Sequence, residues 1–394
     1  MDPSVADAIE VTVADVLAAQ GRLRRYLDVT PTHYAERFGC WLKLENLQRT
    51  GSYKVRGAMN ALLAARERGD DRIVIAASAG NHAQGLAWAA YRLGLPAITV
   101  MPKCAPQTKV AGVAHWGATV RLHGDGYDEA KAFAARLAAQ HDYRLLSAFD
   151  DRDVIAGQGT VGLELAALAP DVVLVPIGGG GLAAGVALAL KAQGVKVVGA
   201  QVEGVDAMAR ALRGESTTAE PAVTLADGVR VREPGHLTRR LLASLLDDIV
   251  IVREAELRET LVRLALEEHV IAEGAGALAL AAGRRVAGKR KCAVVSGGNL
   301  DAGVLARLLS EVRPGAPRKP RRRVREARLP TQLPTKVEFP TPSIPRRGES
   351  SDPVLAKATS LHDRPPAVLT HSRLHGNDEQ KRSKHRTSVE ELPA

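Results

Sequence analysis

A chain of 394 residues, 45% of them apolar, has material for a large core and, on length alone, for two or three domains. Its three cysteines, Cys40, Cys104 and Cys292, are odd in number and far apart, which excludes a disulfide framework and a paired-cysteine metal site and suits a reducing cytosol. The net charge of +10 is concentrated: Arg313–Ala394 carries 18 Lys+Arg against 9 Asp+Glu, leaving 36 against 35 in Met1–Val312.

The N-terminal stretch Met1-Asp2-Pro3-Ser4-Val5-Ala6-Asp7 is acidic and lacks the basic-then-apolar pattern of a signal segment. Ala58 to Arg66 reads as an amphipathic helix. Ile73 to Ala77 reads as a buried strand, followed by a helix near Asn81 to Leu93. Ala97 to Met101 and Ala118 to Leu122 are further strands, with a helical run around Thr108 to Trp116 between them. Tyr127 to Gln140 continues the alternation. Val172 to Leu190 has no charged residue and is long enough to raise a membrane span. Pro176 and four consecutive glycines would break such a helix, so it divides into a strand (Val172 to Val175), a glycine loop and a helix from about Leu182. Val195 to Val202, Ile249 to Val252 and Cys292 to Val295 complete the strands. Repeated β-α alternation predicts parallel sheets covered by helices on both faces, and the strand count predicts two such α/β layers with a ligand cleft between them.

Beyond Val312 the pattern stops. The last segment holds 12 of the 21 prolines and is expected to be a disordered basic tail. Its start, Arg318-Lys319-Pro320-Arg321-Arg322-Arg323-Val324-Arg325, has the charge to contact nucleic acid or anionic lipid. It has no aromatic interleaving, recognition helix or zinc spacing, so no specific nucleic-acid partner is expected. Leu329 to Ala394 also lacks the strand and helix periodicity of a regulatory ligand-binding domain.

Four short blocks carry the chemistry. Lys54 lies among small residues in Thr50-Gly51-Ser52-Tyr53-Lys54-Val55-Arg56-Gly57-Ala58-Met59, where shielding from water would lower its proton affinity and make it a nucleophile and a base. Ser78-Ala79-Gly80-Asn81-His82 joins a strand to a helix with residues small enough for backbone amides to approach a substrate carboxylate. Gly178-Gly179-Gly180-Gly181-Leu182 follows a strand and opens a helix, so its N–H groups can converge on a phosphate. No Gly-Lys-Ser/Thr follows, which excludes a nucleoside-triphosphate loop of the Walker type. Ser296, in Ser296-Gly297-Gly298-Asn299, stands at the carboxyl end of a strand, where ligands of α/β sheets sit. An N-cap serine would occupy the same place. An amine, an anion pocket, a phosphate cradle and a hydroxyl are the inventory of a pyridoxal phosphate site. His82 reads as a hydrogen-bonded structural histidine more readily than as a catalyst.

In order and spacing these blocks resemble the threonine/serine dehydratases, fold type II pyridoxal phosphate enzymes of the tryptophan synthase β type that are grouped with serine racemase. The resemblance covers roughly Ala14 to Val312. It implies a large cofactor-binding domain (1–48 and 149–312), a small inserted domain (49–148), and the tail 313–394. It further implies a Schiff base at Lys54, a contact from Asn81 to the cofactor's ring hydroxyl, Ser296 facing the pyridine nitrogen, and Ser78, Ala79, Gly80, Asn81 and His82 around the substrate. A homo-oligomer is implied as well. Three residues depart from the racemase pattern. Ala79 replaces a serine able to move a proton on the opposite substrate face. The racemase cation site would fall at Glu203 and the carbonyl near Ala207, yet its second carboxylate position is Ala209, so no metal is expected with conviction. Tyr53 stands where phenylalanine is usual. The expected reaction is conversion of L-threonine or L-serine to 2-oxobutanoate or pyruvate plus ammonia, in the cytoplasm. Open alternatives are a hydroxyaspartate ammonia-lyase, a serine racemase, a cysteine synthase (disfavoured, since Asp-Arg generally follows the lysine there), and a cofactor-binding scaffold with a basic interaction tail.

Overall fold

A computed structural model describes residues 11–217 and 220–311. The tail expectations therefore lie outside the described residues. Ten strands and twelve helices follow one another in the described chain. The strands are β1 (Thr32–Ala35), β2 (Cys40–Leu44), β3 (Val74–Ala77), β4 (Ala97–Met101), β5 (Thr119–Leu122), β6 (Arg144–Leu145), β7 (Val172–Pro176), β8 (Lys196–Val202), β9 (Asp248–Val252) and β10 (Lys291–Val295). The helices are α1 (Val13–Leu23), α2 (Lys54–Glu67), α3 (Asn81–Leu93), α4 (Gln107–Ala114), α5 (Tyr127–His141), α6 (Arg152–Ala166), α7 (Gly181–Leu190), α8 (Ala207–Leu212), α9 (His236–Leu245), α10 (Glu254–Glu267), α11 (Gly274–Ala282) and α12 (Ala302–Ser310).

The strands form a six-stranded sheet, β1-β2-β10-β7-β8-β9, and a four-stranded sheet, β5-β4-β3-β6. All neighbours are parallel except the β1–β2 hairpin at one edge. The larger sheet is apolar on both faces, as helices on both sides require. Leu42, Leu174, Ala293 and Val295 enter one core, while Trp41, Val173, Val175, Cys292 and Val294 enter the other, following the two-residue side-chain period of a strand. Aromatic residues make up only 3% of the chain, and alanine and glycine let helices come close instead. A Cβ at Gly185 of α7 would lie 2.4 Å from the Ile155 carbonyl of α6, so only glycine permits that approach.

Several elements differ from the sequence reading, among them α1 and β6, which it did not include. The hairpin β1–β2 was not anticipated, because a charged residue, Lys43, interrupts the apolar run of β2 and yet is buried. The helix expected from Ala58 begins at Lys54. Gly57 discourages helix in isolation, but a Cβ there would come within 2.4 Å of Gln158 Nε2, so the glycine serves the packing of α2 on α6. Val172–Leu190 divides as expected into β7, the glycine loop and α7. Among the described residues no helix is long and apolar enough to cross a membrane.

Candidate active site

Parallel pairing sets the site. β10 lies beside β7 with Ala293 opposite Leu174, so Ser296 and the glycine loop emerge at the same sheet edge. The segment before Lys54 is stitched to the end of β10: Ser52 bridges Gly297, the Tyr53 N–H donates to the Ser296 carbonyl at 3.1 Å, and the Gly298 N–H donates to the Gly51 carbonyl at 2.9 Å. Lys54 is thus held next to Ser296 by backbone bonds. The loop after β3 brings in Ser78–His82, and Gly85 of α3 packs on the Lys54–Val55 backbone, where a Cβ would stand 2.9 Å from the Val55 nitrogen.

The Lys54 amine donates to the Ala148 carbonyl at 2.9 Å and lies 5.2 Å from the Tyr53 ring centroid. Burial pushes its pKa down to about 8, with the Glu273 carboxyl pulling weakly the other way. Its place at the positive end of a helix also disfavours an ammonium. Glu273, at the start of α11, was not singled out from the sequence. Burial and then the Asp227 carboxylate raise it to about 7, opposed by a hydrogen bond from Asn81 and by Lys109 and Lys54. Asn81 Nδ2 donates to Glu273 Oε1 at 2.6 Å, and Asn81 Oδ1 accepts from Asn299 Nδ2 at 2.8 Å. In sequence Glu273 reads as an ordinary acid at a helix start, and only its position before the apolar run of α11 hints that it is buried.

His82 is buried as expected; among the described residues neither ring nitrogen has a partner at full hydrogen-bond geometry, and the Leu146 backbone is the polar group that acts on the ring. Burial, then the charge of Lys54, pushes it down to about 3, with the Leu146 backbone opposing, so it is held neutral near pH 7. The Ser296 hydroxyl is buried and donates to the Ala275 carbonyl at 3.3 Å. It caps no helix: the next one, α12, is capped by Asp301, whose Oδ1 accepts from Gly303 and Val304.

The glycine loop closes from below on solid neighbours. A Cβ would meet the Phe149 ring at 2.2 Å from Gly179 and Met208 Cε at 2.7 Å from Gly180, whose φ of +97° also favours glycine. The Gly179 carbonyl accepts from Thr238 Oγ1 at 2.6 Å. Asp150 accepts from the His236 and Thr238 N–H groups and so fixes the start of α9 beside the loop. Among the described residues no backbone carbonyl accepts from the N–H groups of Gly178 to Leu182. Donors left free at the head of a helix can receive an anion. On the opposite side Gly80 faces open space, and its N–H donates to Ser78 Oγ at 3.2 Å. A free anion cradle, a partly neutral lysine amine and orphaned buried polar atoms on His82 and Ser52 fit pyridoxal phosphate.

The weak cation candidates stand at the end of β8 and the start of α8. Glu203 is exposed just after β8 and Ala207 opens α8. Ala209 offers its N–H to Gln201 Oε1 at 2.8 Å. Among the described residues no three His, Cys, Asp or Glu side chains gather as metal ligands.

Comparison with known proteins agrees with this geometry. Residues 23–297 match the family model described as pyridoxal-phosphate dependent enzyme. The chain is 41% identical to the L-threonine ammonia-lyase of Thermotoga maritima over 315 residues, covering 76% of this chain and 79% of that protein. It is 41% identical to the catabolic L-threonine dehydratase TdcB of Escherichia coli over 310 residues, covering 74% and 94%. Among solved structures, a tomato (Solanum lycopersicum) threonine deaminase, the processed form of isoform 2, superposes with a TM-score of 0.70 at 34% identity, covering 76% of this chain and 86% of that one. Maize serine racemase superposes with a TM-score of 0.72 at 30% identity, covering 77% and 98%. The chain belongs to the pyridoxal-phosphate-dependent enzymes of fold type II, in the threonine/serine dehydratase family.

Proposed function

We propose that this protein is an ammonia-lyase that converts L-threonine to 2-oxobutanoate and ammonia, with L-serine giving pyruvate by the same route. The observation that carries this reading is the Lys54 amine, held by burial at about 8 and hydrogen-bonded only to a carbonyl among the described groups, so that a neutral base is available near pH 7. Threonine rather than another hydroxy-amino acid is suggested by the names of the 41% identical relatives.

In this reading Lys54 holds the cofactor through its amine, the N–H groups of Gly178 to Leu182 hold the phosphate, Asn81 meets the ring oxygen and Ser296 the ring nitrogen. Bound there, the cofactor supplies an electron sink that makes the substrate α-proton labile. The loop Ser78–His82 would receive the substrate carboxylate, the freed Lys54 would take the α-proton, and that proton, returned from the Lys54 ammonium, would let the β-hydroxyl depart as water on the side of the glycine cradle. Turned from the Ala275 carbonyl to the ring nitrogen, the neutral Ser296 hydroxyl would donate to it and leave it largely unprotonated, which suits elimination. Ala79 has no proton to exchange on the opposite face, so racemisation is disfavoured. Likeness to racemase structures at 30–31% identity keeps racemisation as the second reading.

The residue ranges 1–48 with 149–312 and 49–148 are proposed as the large and small domains, supported by the two separate sheets. Assembly of copies is supported by exposed Val29, Leu47 and Ile271, which line two adjoining grooves. Incubating the purified protein with L-threonine, L-serine and 3-hydroxyaspartate, then assaying 2-oxo acid, ammonia and D-serine, tests the assignment. D-serine as the main product, or no 2-oxo acid from threonine or serine, overturns it.

A further inference from the structure

Thr50, Asn299, Asn81 and Glu273 form one hydrogen-bonded chain through the site, and its polarity is set at one end. The Thr50 carbonyl can only accept. Asn299 meets it at 2.8 Å, so that end of the amide is Nδ2. The same Nδ2 meets the Asn81 amide at 2.8 Å, so that end of Asn81 is Oδ1. Asn81 Nδ2 is thereby turned to Glu273 Oε1, 2.6 Å away. The carboxyl is closed in: a Cβ on Gly297 would lie 2.3 Å from Glu273 Oε1, and the Glu273 N–H is tied to the Gly297 carbonyl at 3.0 Å.

An asparagine amide left to itself presents oxygen or nitrogen to a ligand with similar ease. Here both ends are assigned, and among the described residues one of the two hydrogens on Asn81 Nδ2 has no acceptor. We propose that Glu273 and Asn299 are positioning residues that lock Asn81 so that an N–H, never its carbonyl, is offered to an oxygen of the bound cofactor. The inference rests on Asn81 being the ring-oxygen contact. Four separate elements supply the chain: the turn before α2, the loop after β10, the head of α3 and the head of α11. The charges that bear on Glu273 are Asp227 from the turn before α9, Lys109 of α4 and Lys54 of α2, so ionisation of the carboxyl is sensitive to all three. Its Oε1 accepts from Asn81 in either state if the proton resides on Oε2.

The experiment is a titration of cofactor-free protein with pyridoxal phosphate, reading the dissociation constant and the visible band for wild type, Glu273→Ala, Glu273→Gln, Asn299→Ala and the double alanine variant. Glu273→Ala and Asn299→Ala are each expected to weaken binding about tenfold and to shift the band as the ring oxygen loses its oriented donor. Glu273→Gln keeps an accepting oxygen and is expected to stay within about threefold of wild type. Among the described residues Glu273 and Asn299 share no hydrogen bond, so independent effects would multiply; the double variant should instead weaken binding much less than the product, because losing either end already frees the amide. Wild-type affinity and band in the single alanine variants, a glutamine variant as weak as alanine, or multiplicative effects overturn the proposal. Should Glu273→Ala not fold, Asn299→Ala, in a different loop, decides it alone. A wild type that binds no pyridoxal phosphate would instead overturn the cofactor assignment, a separate outcome.

Discussion

Two clusters of buried charge lie two residues apart in sequence, and they behave in opposite ways. Arg56 points from α2 into a fully paired network: its guanidinium donates to Glu45 at 2.7 and 2.8 Å and to Glu164 at 2.6 and 2.9 Å. Lys43 closes it, 2.5 Å from Glu164 and 2.7 Å from the Thr30 carbonyl. Despite burial, Glu45 is held below the usual carboxylate range by Arg56 and Lys43. Lys54 leaves the same helix on another face and meets only a carbonyl. Its neighbours Glu273 and His82 drift with it toward neutrality, to about 7 and about 3. Burial penalises charge in both places. Close opposite charges cancel the penalty in the first, whereas in the second the Glu273 carboxyl offsets it only in part. The first cluster anchors the lysine helix; the second leaves Lys54 and Glu273 able to exchange protons near neutral pH, while His82 stays neutral.

The largest break of this contrast is Lys54→Ala. It is expected to cut elimination more than a thousandfold and abolish the visible cofactor band, while the melting temperature of the cofactor-free protein hardly falls. Retained turnover would show that another group is the base. Arg56→Met tests the other side. It leaves Glu45 and Glu164 short of a partner in the interior and is expected to cost about 3–5 kcal/mol in denaturant unfolding. A loss under about 1 kcal/mol would mean the network is not anchoring the helix.

A subtler test uses pH. Glu273 is raised in the folded protein to about 7, so between its ordinary value of 4.5 and 7 the folded state binds the extra proton. That contribution is complete below about pH 4.5 and is lost as pH rises through 7. Cofactor-free wild type should therefore lose stability over this window relative to Glu273→Gln, read from unfolding midpoints. Parallel curves would refute the shift. Smaller again is Ala79→Ser, expected to add measurable D-serine to a wild-type product that is nearly all pyruvate; comparable D-serine from wild type would refute the one-sided base. The smallest effect is expected from shortening the chain to Met1–Val312, with turnover and melting temperature compared against the full chain; a large loss of either would show that the tail packs on the body.

Most of the β-α alternation was legible, because buried parallel strands such as Val172–Pro176 are short apolar runs bounded by turn residues. Glycine loops at strand ends were legible for the same reason. β2 was not, since a lysine buried by pairing looks like a surface residue until its partners, distant in sequence, are in place. Glu273 was hidden likewise: its value depends on Asn81, 192 positions away.

By itself the sequence determined where the lysine, the anion loop and the hydroxyl stand relative to strands and helices, because local apolar period and glycine punctuation dictate those elements. Tertiary structure alone decided which charges are cancelled and which are left exposed to the cost of burial. That cost depends on distances between residues far apart in the chain: Arg56 stands 2.7 Å from Glu45 and 2.6 Å from Glu164, whereas Lys54 meets a carbonyl.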